Sequence, residues 1–302
     1  MVQAVSTISK TKNVRRIKSI LKFRSSIINP PMPHLRTVRI EINQAKKTSA
    51  FPFSLPLVQS QPTLTFTAPV TFLVGENGSG KSTFLEALAL AAGSIAAGSE
   101  DSTADKTLVH ARPLADCLKL TWNKRTRKGF FLRAEDFFGY IQRLNASRAA
   151  LADDEREIER EFRGRSDYAR DLALGPVRGE RRALMQRYGG DLDARSHGES
   201  FFSFFRARFV PGGLYLLDEP EAPLSPLRQI ALIKLIQELV PQDAQFVIAT
   251  HSPILMALPG ATLLSFDQQP PQAVTYASLE HVRLTREFLN APERFLRHLA
   301  DE

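Results

Sequence analysis

The run Gly75-Glu76-Asn77-Gly78-Ser79-Gly80-Lys81-Ser82-Thr83 constrains this chain more than any other stretch. It fits Gly-x-x-x-x-Gly-Lys-Ser, and each fixed position has a physical purpose. Glycines let the backbone curl until several N–H groups converge on one point, which makes a concave anion site. A helix beginning at the end of the loop adds the positive end of its dipole to the same point. Lys81 can then reach the outer phosphates of a nucleotide, and the Ser82 hydroxyl can ligate Mg²⁺. Small residues and lysine are common, so the spacing needs its context. Val70-Thr71-Phe72-Leu73-Val74 has the β-branched and aromatic composition of a buried strand. Ser82 to Leu90 is rich in good helix formers. Strand, glycine loop and helix stand in the required order, so Gly75 to Thr83 is expected to bind a nucleotide.

Composition adds limits. A chain of 302 residues can bury a sizeable core in one large domain or two smaller ones. Cys117 is the single cysteine, which excludes an internal disulfide and favours a small buried apolar role. The longest weakly polar stretch, Phe84 to Gly98, contains Glu86 and falls short of the roughly 20 residues that a bilayer requires. The net charge of +8 suggests a nucleic-acid partner until it is located. Residues 1–40 hold nine basic side chains and no acid, against 40 Lys+Arg and 32 Asp+Glu in the whole chain, so the remainder carries one more acid than it has bases. The basic excess therefore belongs to the N-terminal segment, of which residues 1–33 lie before the expected domain. They read as a disordered extension, with three explanations open: a basic arm, a targeting peptide, or an extended reading frame with translation starting at Met32.

Leu35 to Ile42 alternates apolar and basic residues, as an edge strand with one wet face does. The prolines at 52, 56 and 62 predict a loop over 51–62, followed by a strand over Leu64 to Thr67. Gly93 to Asp105 is small and polar, hence a surface loop. Leu118–Trp122 and Gly129–Arg133 look like a strand pair joined by a basic turn. From about 135 to 195 acids and arginines are dense and helices are expected over Ala149–Phe162 and Arg178–Tyr188, a compact helical insert. Beyond residue 200 helices and strands alternate (Phe201–Phe209, Leu214–Leu217, Pro226–Leu239, Gln245–Ala249), which implies a mostly parallel, helix-covered sheet.

Two later segments complete a site. Leu214 to Leu217 is an apolar strand ending in Asp218-Glu219-Pro220-Glu221. At the carboxyl end of a parallel strand, Asp218 can sit beside the phosphate loop and hold Mg²⁺ with Ser82, while Glu219 can polarise the attacking water. Phe246 to Ala249 is a third strand, ending in Thr250-His251-Ser252-Pro253, where His251 can hydrogen-bond a γ-phosphate. Lys81, Glu219 and His251 are the candidate catalytic residues.

These segments resemble the ATP-binding-cassette class of ATPases, in which a phosphate loop, a Ser-Gly-Gly-Gln-type signature, an Asp-Glu pair and a switch histidine follow in this order. Ser196-His197-Gly198-Glu199-Ser200 stands at the signature's place, with His197 and Glu199 in place of glycine and glutamine. Ser196-x-x-Glu199 is also a capping box opening a helix on which Phe201, Phe205 and Phe209 share a face. More narrowly, the set of motifs is similar to small bacterial ATPases on the RecF/SMC/Rad50 side of the class. The resemblance implies an α/β P-loop NTPase over 34–302, with a mostly parallel sheet, an antiparallel β edge and a helical insert. It implies ATP and Mg²⁺ as cofactors and a cytoplasmic, ATP-dependent homodimer in which Ser196 and Gly198 act in trans. By analogy the dimer would act on nucleic acid or protein, in DNA repair or defence. The end of Phe131-Leu132-Arg133-Ala134-Glu135 is the place expected for the family's coupling glutamine, and the purine is expected near Phe51 and Phe53. The alternative is the nucleotide-binding subunit of a membrane transporter, against which stands Ser225, where transporter-type members keep an aspartate. A small-molecule kinase and an ATP-gated scaffold without turnover are weaker readings.

Overall fold

A computed structural model describes residues 31–42, 50–95, 106–188 and 197–300. The basic extension over 1–30 and most of the 93–105 loop lie outside the described residues. Contacts divide the chain after Pro31, and the unit from Met32 onward carries the elements that follow.

Six strands make the main sheet: β3 (Val70–Val74), β5 (Gly129–Arg133), β6 (Leu214–Asp218), β7 (Gln245–Ala249), β8 (Thr262–Ser265) and β9 (Gln272–Val274), in the order β5-β6-β7-β3-β8-β9. All neighbours are parallel except β9, which runs antiparallel to β8. Every residue of β3, β6 and β7 is buried. Side chains alternate across a strand, so each strand feeds two cores. Phe72, Val74, Phe246 and Ile248 enter one core; Leu73, Val247 and Ala249 enter the other.

The first core is aromatic. Tyr215 lies 4.6 Å from Phe209 and 4.9 Å from Phe246 between ring centroids, and its hydroxyl donates to the Val210 carbonyl at 2.7 Å. Each such ring contributes roughly 1.5–3 kcal/mol by burial. The second core is covered by helix α2 (Lys81–Ala92), with Phe84, Leu85 and Leu88 fully buried. Cys117 joins this core as a small buried residue.

A separate antiparallel sheet, β2-β1-β4, consists of β1 (Leu35–Ile40), β2 (Thr63–Thr65) and β4 (Leu118–Trp122). Two expectations are corrected here. The β1 strand is central rather than an edge, although its alternating burial is as expected. The segments β4 and β5 are both strands but do not pair. One-sided β4 joins β1, while Phe130, Phe131 and Leu132 of β5 are buried on both faces and take the rim of the main sheet. Buried Gln245 ties the sheets together, accepting from the Leu35 N–H at 2.7 Å and donating to the Leu35 carbonyl at 3.0 Å.

The segment 51–62 contains one helical turn, α1 (Pro56–Gln59), and α3 (Arg112–Ala115) precedes β4. The helical region runs longer than its composition suggested: α4 (Ala134–Glu161) has 28 residues and α5 (Asp167–Tyr188) has 22, packed as a hairpin. Glu155 clamps the pair, accepting from Arg178 and Arg181 at 2.8 Å each. Helices α6 (His197–Arg208), α7 (Pro226–Leu239), α8 (Pro253–Met256), α9 (Glu280–Asn290) and α10 (Pro292–Ala300) complete the described elements. None of the described helices is long and apolar enough to cross a membrane.

Candidate functional site

The loop from Gly75 to Gly80 connects β3 to α2 as the sequence predicts. Gly75 has φ +143°, and a Cβ there would meet Asp267 Oδ1 at 2.7 Å, so only glycine fits. Gly80 caps α2 in the left-handed conformation with φ 93°. The Lys81 ammonium is buried and donates to the carbonyls of Gly75 at 2.8 Å and Glu76 at 2.7 Å, and to Ser79 Oγ at 3.2 Å. Burial pulls its pKa down, while Asp267, Glu219 and Asp218 oppose that shift.

At the end of β6, Asp218 accepts from Ser82 Oγ at 3.1 Å. Burial pushes the Asp218 carboxyl up to about 7, with Glu219 and Glu86 adding to the shift and Ser82 and Arg133 opposing it. Glu219 has φ 48°, a left-handed conformation that costs a non-glycine residue about 1 kcal/mol or more. Its N–H donates to the Ala249 carbonyl at 2.9 Å, which holds the turn. The His251 ring is half-buried, and burial followed by the nearby Lys81 charge lowers its pKa. A cleft of about 230 Å³ brings together Asn77, Gly78, Lys81, Ser82, Thr83, Glu219 and His251. A second cleft, on the Glu76 and Ser79 side of the loop, is lined on one side by Glu280, His281 and Leu284 of α9.

Phe51 and Phe53 separate. Phe51 is exposed and lines the first cleft, whereas Phe53 is buried in the core. Gly198 falls in the first turn of α6, and Ser196 lies outside the described residues, as does the capping box it would form. Among the described residues no three His, Cys, Asp or Glu groups cluster as a metal cage. A hydroxyl beside a carboxylate is nevertheless a donor pair that suits Mg²⁺, an ion that takes one or two protein oxygens and completes its shell with phosphate and water. The buried Asp218 charge also calls for a cation.

Several residues of the site carry signals that the motifs did not use. Glu221 Oε1 accepts from Thr250 Oγ1 at 2.6 Å, the His251 N–H at 2.7 Å and the Ser252 N–H at 3.1 Å. It thereby fixes the loop that carries His251. Ser252 in turn caps α8 and donates to Gln229 on α7 at 2.6 Å. Asp267 accepts from the Glu76 N–H at 2.7 Å and braces the phosphate loop. Its signal was an apolar strand ending in an acid, the same pattern that exposed Asp218. His281 of α9 reaches the second cleft.

A phosphate loop at the end of a parallel strand, with a strand-end acid pair and a third-strand histidine beside it, is the arrangement of a P-loop nucleotide site, and together with matches to AAA-domain models it supports an ATP-hydrolysing enzyme. Two family models match the chain in succession. One, an AAA domain, covers residues 53–170; the other, an AAA domain described as a putative AbiEii toxin of a type IV toxin–antitoxin system, covers residues 201–257. Among curated proteins none matches. Similar solved structures include the Smc head domain of Pyrococcus furiosus, bound there to the C-terminal domain of ScpA (12% identity, 89% of this chain and 100% of that chain, TM-score 0.39). The SMC head domain of Thermotoga maritima is another (17% identity, 80% and 98%, TM-score 0.38). A nucleotide-free ATP-binding cassette of an ABC transporter is a third (16% identity, 83% and 94%, TM-score 0.41).

Proposed function

We propose that this ATPase uses Mg·ATP to bring two copies together head to tail, and that closing and opening of this dimer acts on a nucleic-acid or protein partner. The Ser82–Asp218 hydrogen bond carries the reading, because it joins the strand-end acids to Ser82, which lines one cleft with Glu219 and His251. The loop N–H groups from Gly75 to Gly80 and the start of α2 would receive the inner phosphates. Lys81 would exchange its carbonyl partners at Gly75 and Glu76 for phosphate oxygens. Ser82 and Asp218 would hold Mg²⁺, which supplies charge neutralisation between the outer phosphates.

Glu219 then accepts the proton of the attacking water, and its unusual backbone supports this role, since strain of that kind concentrates at working positions. His251, kept neutral by burial, donates a ring N–H to the γ-phosphate rather than adding charge. The rim of the loop from Glu76 to Gly78 is exposed, which leaves it open to Ser196 and Gly198 of a second copy. Phosphate release measured for wild type and Lys81→Ala, with and without double-stranded DNA, tests the reading. Turnover lost in the variant and raised by DNA supports it; turnover equal in both proteins contradicts it.

A further inference from the structure

Helix α2 touches the ends of two adjacent strands, one helical turn apart. Ser82 bonds Asp218 of β6 at 3.1 Å, and Glu86 bonds Arg133 of β5 at 2.8 Å. The alternation of the strands explains why. Phe131 and Leu216 enter the core beneath α2 while Leu132 and Leu217 enter the other, so Arg133 and Asp218 return to the α2 side. The parallel register sets these two residues directly beside one another. Ser82 and Glu86, at i and i+4, share one face of the helix. The result is a ladder of two rungs, one at the Ser82–Asp218 pair and one immediately next to it.

The second rung is well buried, with the Arg133 side chain 13% and the Glu86 side chain 6% exposed. The Glu86 carboxylate uses both oxygens, since Oε2 bonds His110 Nε2 at 2.6 Å. The His110 ring in turn lies 5.9 Å from Phe51 at the mouth of the cleft. Arg133 is a cation, so it cannot ligate a metal. Its use at this strand end is to hold β5 on α2 and to set positive charge beside Asp218.

We propose that Glu86 and Arg133 are a positioning pair for the metal end of the site, fixing where Ser82 and Asp218 stand relative to one another. This rests on the reading of Ser82 and Asp218 as the Mg²⁺ residues. Residues that orient metal ligands typically change metal affinity by about 10- to 100-fold when removed. The pair therefore sets the Mg²⁺ requirement and leaves the affinity for nucleotide without metal to the rest of the cleft.

The test measures binding of a fluorescent ATP analogue in EDTA and across a Mg²⁺ titration, together with ATP turnover. The proteins are wild type, Arg133→Met, Arg133→Gln, Arg133→Lys, Glu86→Gln and the Glu86→Gln/Arg133→Met double variant. Binding in EDTA should stay within about twofold for all of them, while the Mg²⁺ needed for half-maximal binding and turnover rises about tenfold in Arg133→Met and Arg133→Gln. Arg133→Lys, which keeps the charge, should stay within about threefold of wild type, and the double variant should be no worse than Arg133→Met. An unchanged Mg²⁺ requirement in Arg133→Met, full function in Arg133→Gln, or additive losses in the double variant would overturn the proposal. If Arg133→Met does not fold, Glu86→Gln against Arg133→Lys makes the same comparison. A wild type indifferent to Mg²⁺ would remove the metal reading itself and the pair with it.

Discussion

The Ser82 hydroxyl and the Asp218 carboxylate meet at 3.1 Å although they lie 136 positions apart in the chain. Burial holds this carboxyl at about 7, against an ordinary 3.8. A carboxyl with a raised folded value stabilises the fold fully below its unfolded value, and that stability is lost as pH rises through the folded value. Metal-free protein in EDTA should therefore lose on the order of a few kcal/mol from this group between about pH 4 and about pH 7. Asp218→Asn should lose less over that window, melt higher than wild type at about pH 8 and hydrolyse no ATP. Melting curves at both ends of the window check this, and a steeper decline in the variant contradicts it.

Glu221 holds three consecutive residues of the His251 loop through one oxygen. Glu221→Ala should release that loop and lower kcat about 100-fold with little change in ATP binding, because a shift near 1 Å of a reacting group costs that much. Glu221→Gln keeps an acceptor oxygen and should retain most activity. A fall in ATP affinity as large as the fall in kcat would instead assign Glu221 to binding.

The two phenylalanines before the loop separate binding from stability. Phe51 is exposed at the cleft, and Phe51→Ala should raise KM for ATP by about 1–3 kcal/mol of lost stacking with stability nearly unchanged. Phe53 is 8% exposed in the core, and Phe53→Ala should cost about 3–5 kcal/mol of stability. Steady-state kinetics beside denaturant melts distinguish the two.

Gly75→Ala would place a Cβ at 2.7 Å from Asp267 Oδ1 in a conformation that side chains avoid. The Asp267 bond to the Glu76 N–H should break, raising KM about tenfold or more. Asp267→Ala should give a milder rise, and an unaffected Gly75→Ala enzyme would remove Asp267 from the site.

Elements whose signal is local were legible in the sequence. The run Gly75 to Thr83, the helix Pro226–Leu239 and the strand Gln245–Ala249 fall where composition and spacing put them. Partner choice was less legible. The strands Leu118–Trp122 and Gly129–Arg133 are neighbours in sequence, yet burial on one face or on two sends them to different sheets. Polar residues whose partners lie far away in the chain were the least visible. Glu86 looks like a break in an apolar helix until Arg133 and His110 arrive from distant segments. Asp267 meets Glu76 across 191 positions, a pairing that no local pattern encodes.

Head-to-tail closure over ATP is the central claim, and the Glu219→Gln variant tests it most directly. That substitution removes the base but keeps the side chain's shape, so ATP should bind without being consumed. Light scattering on the variant at saturating Mg·ATP should show a dimer that returns to monomer with ADP or in EDTA. A variant that binds Mg·ATP and stays monomeric throughout would contradict the account.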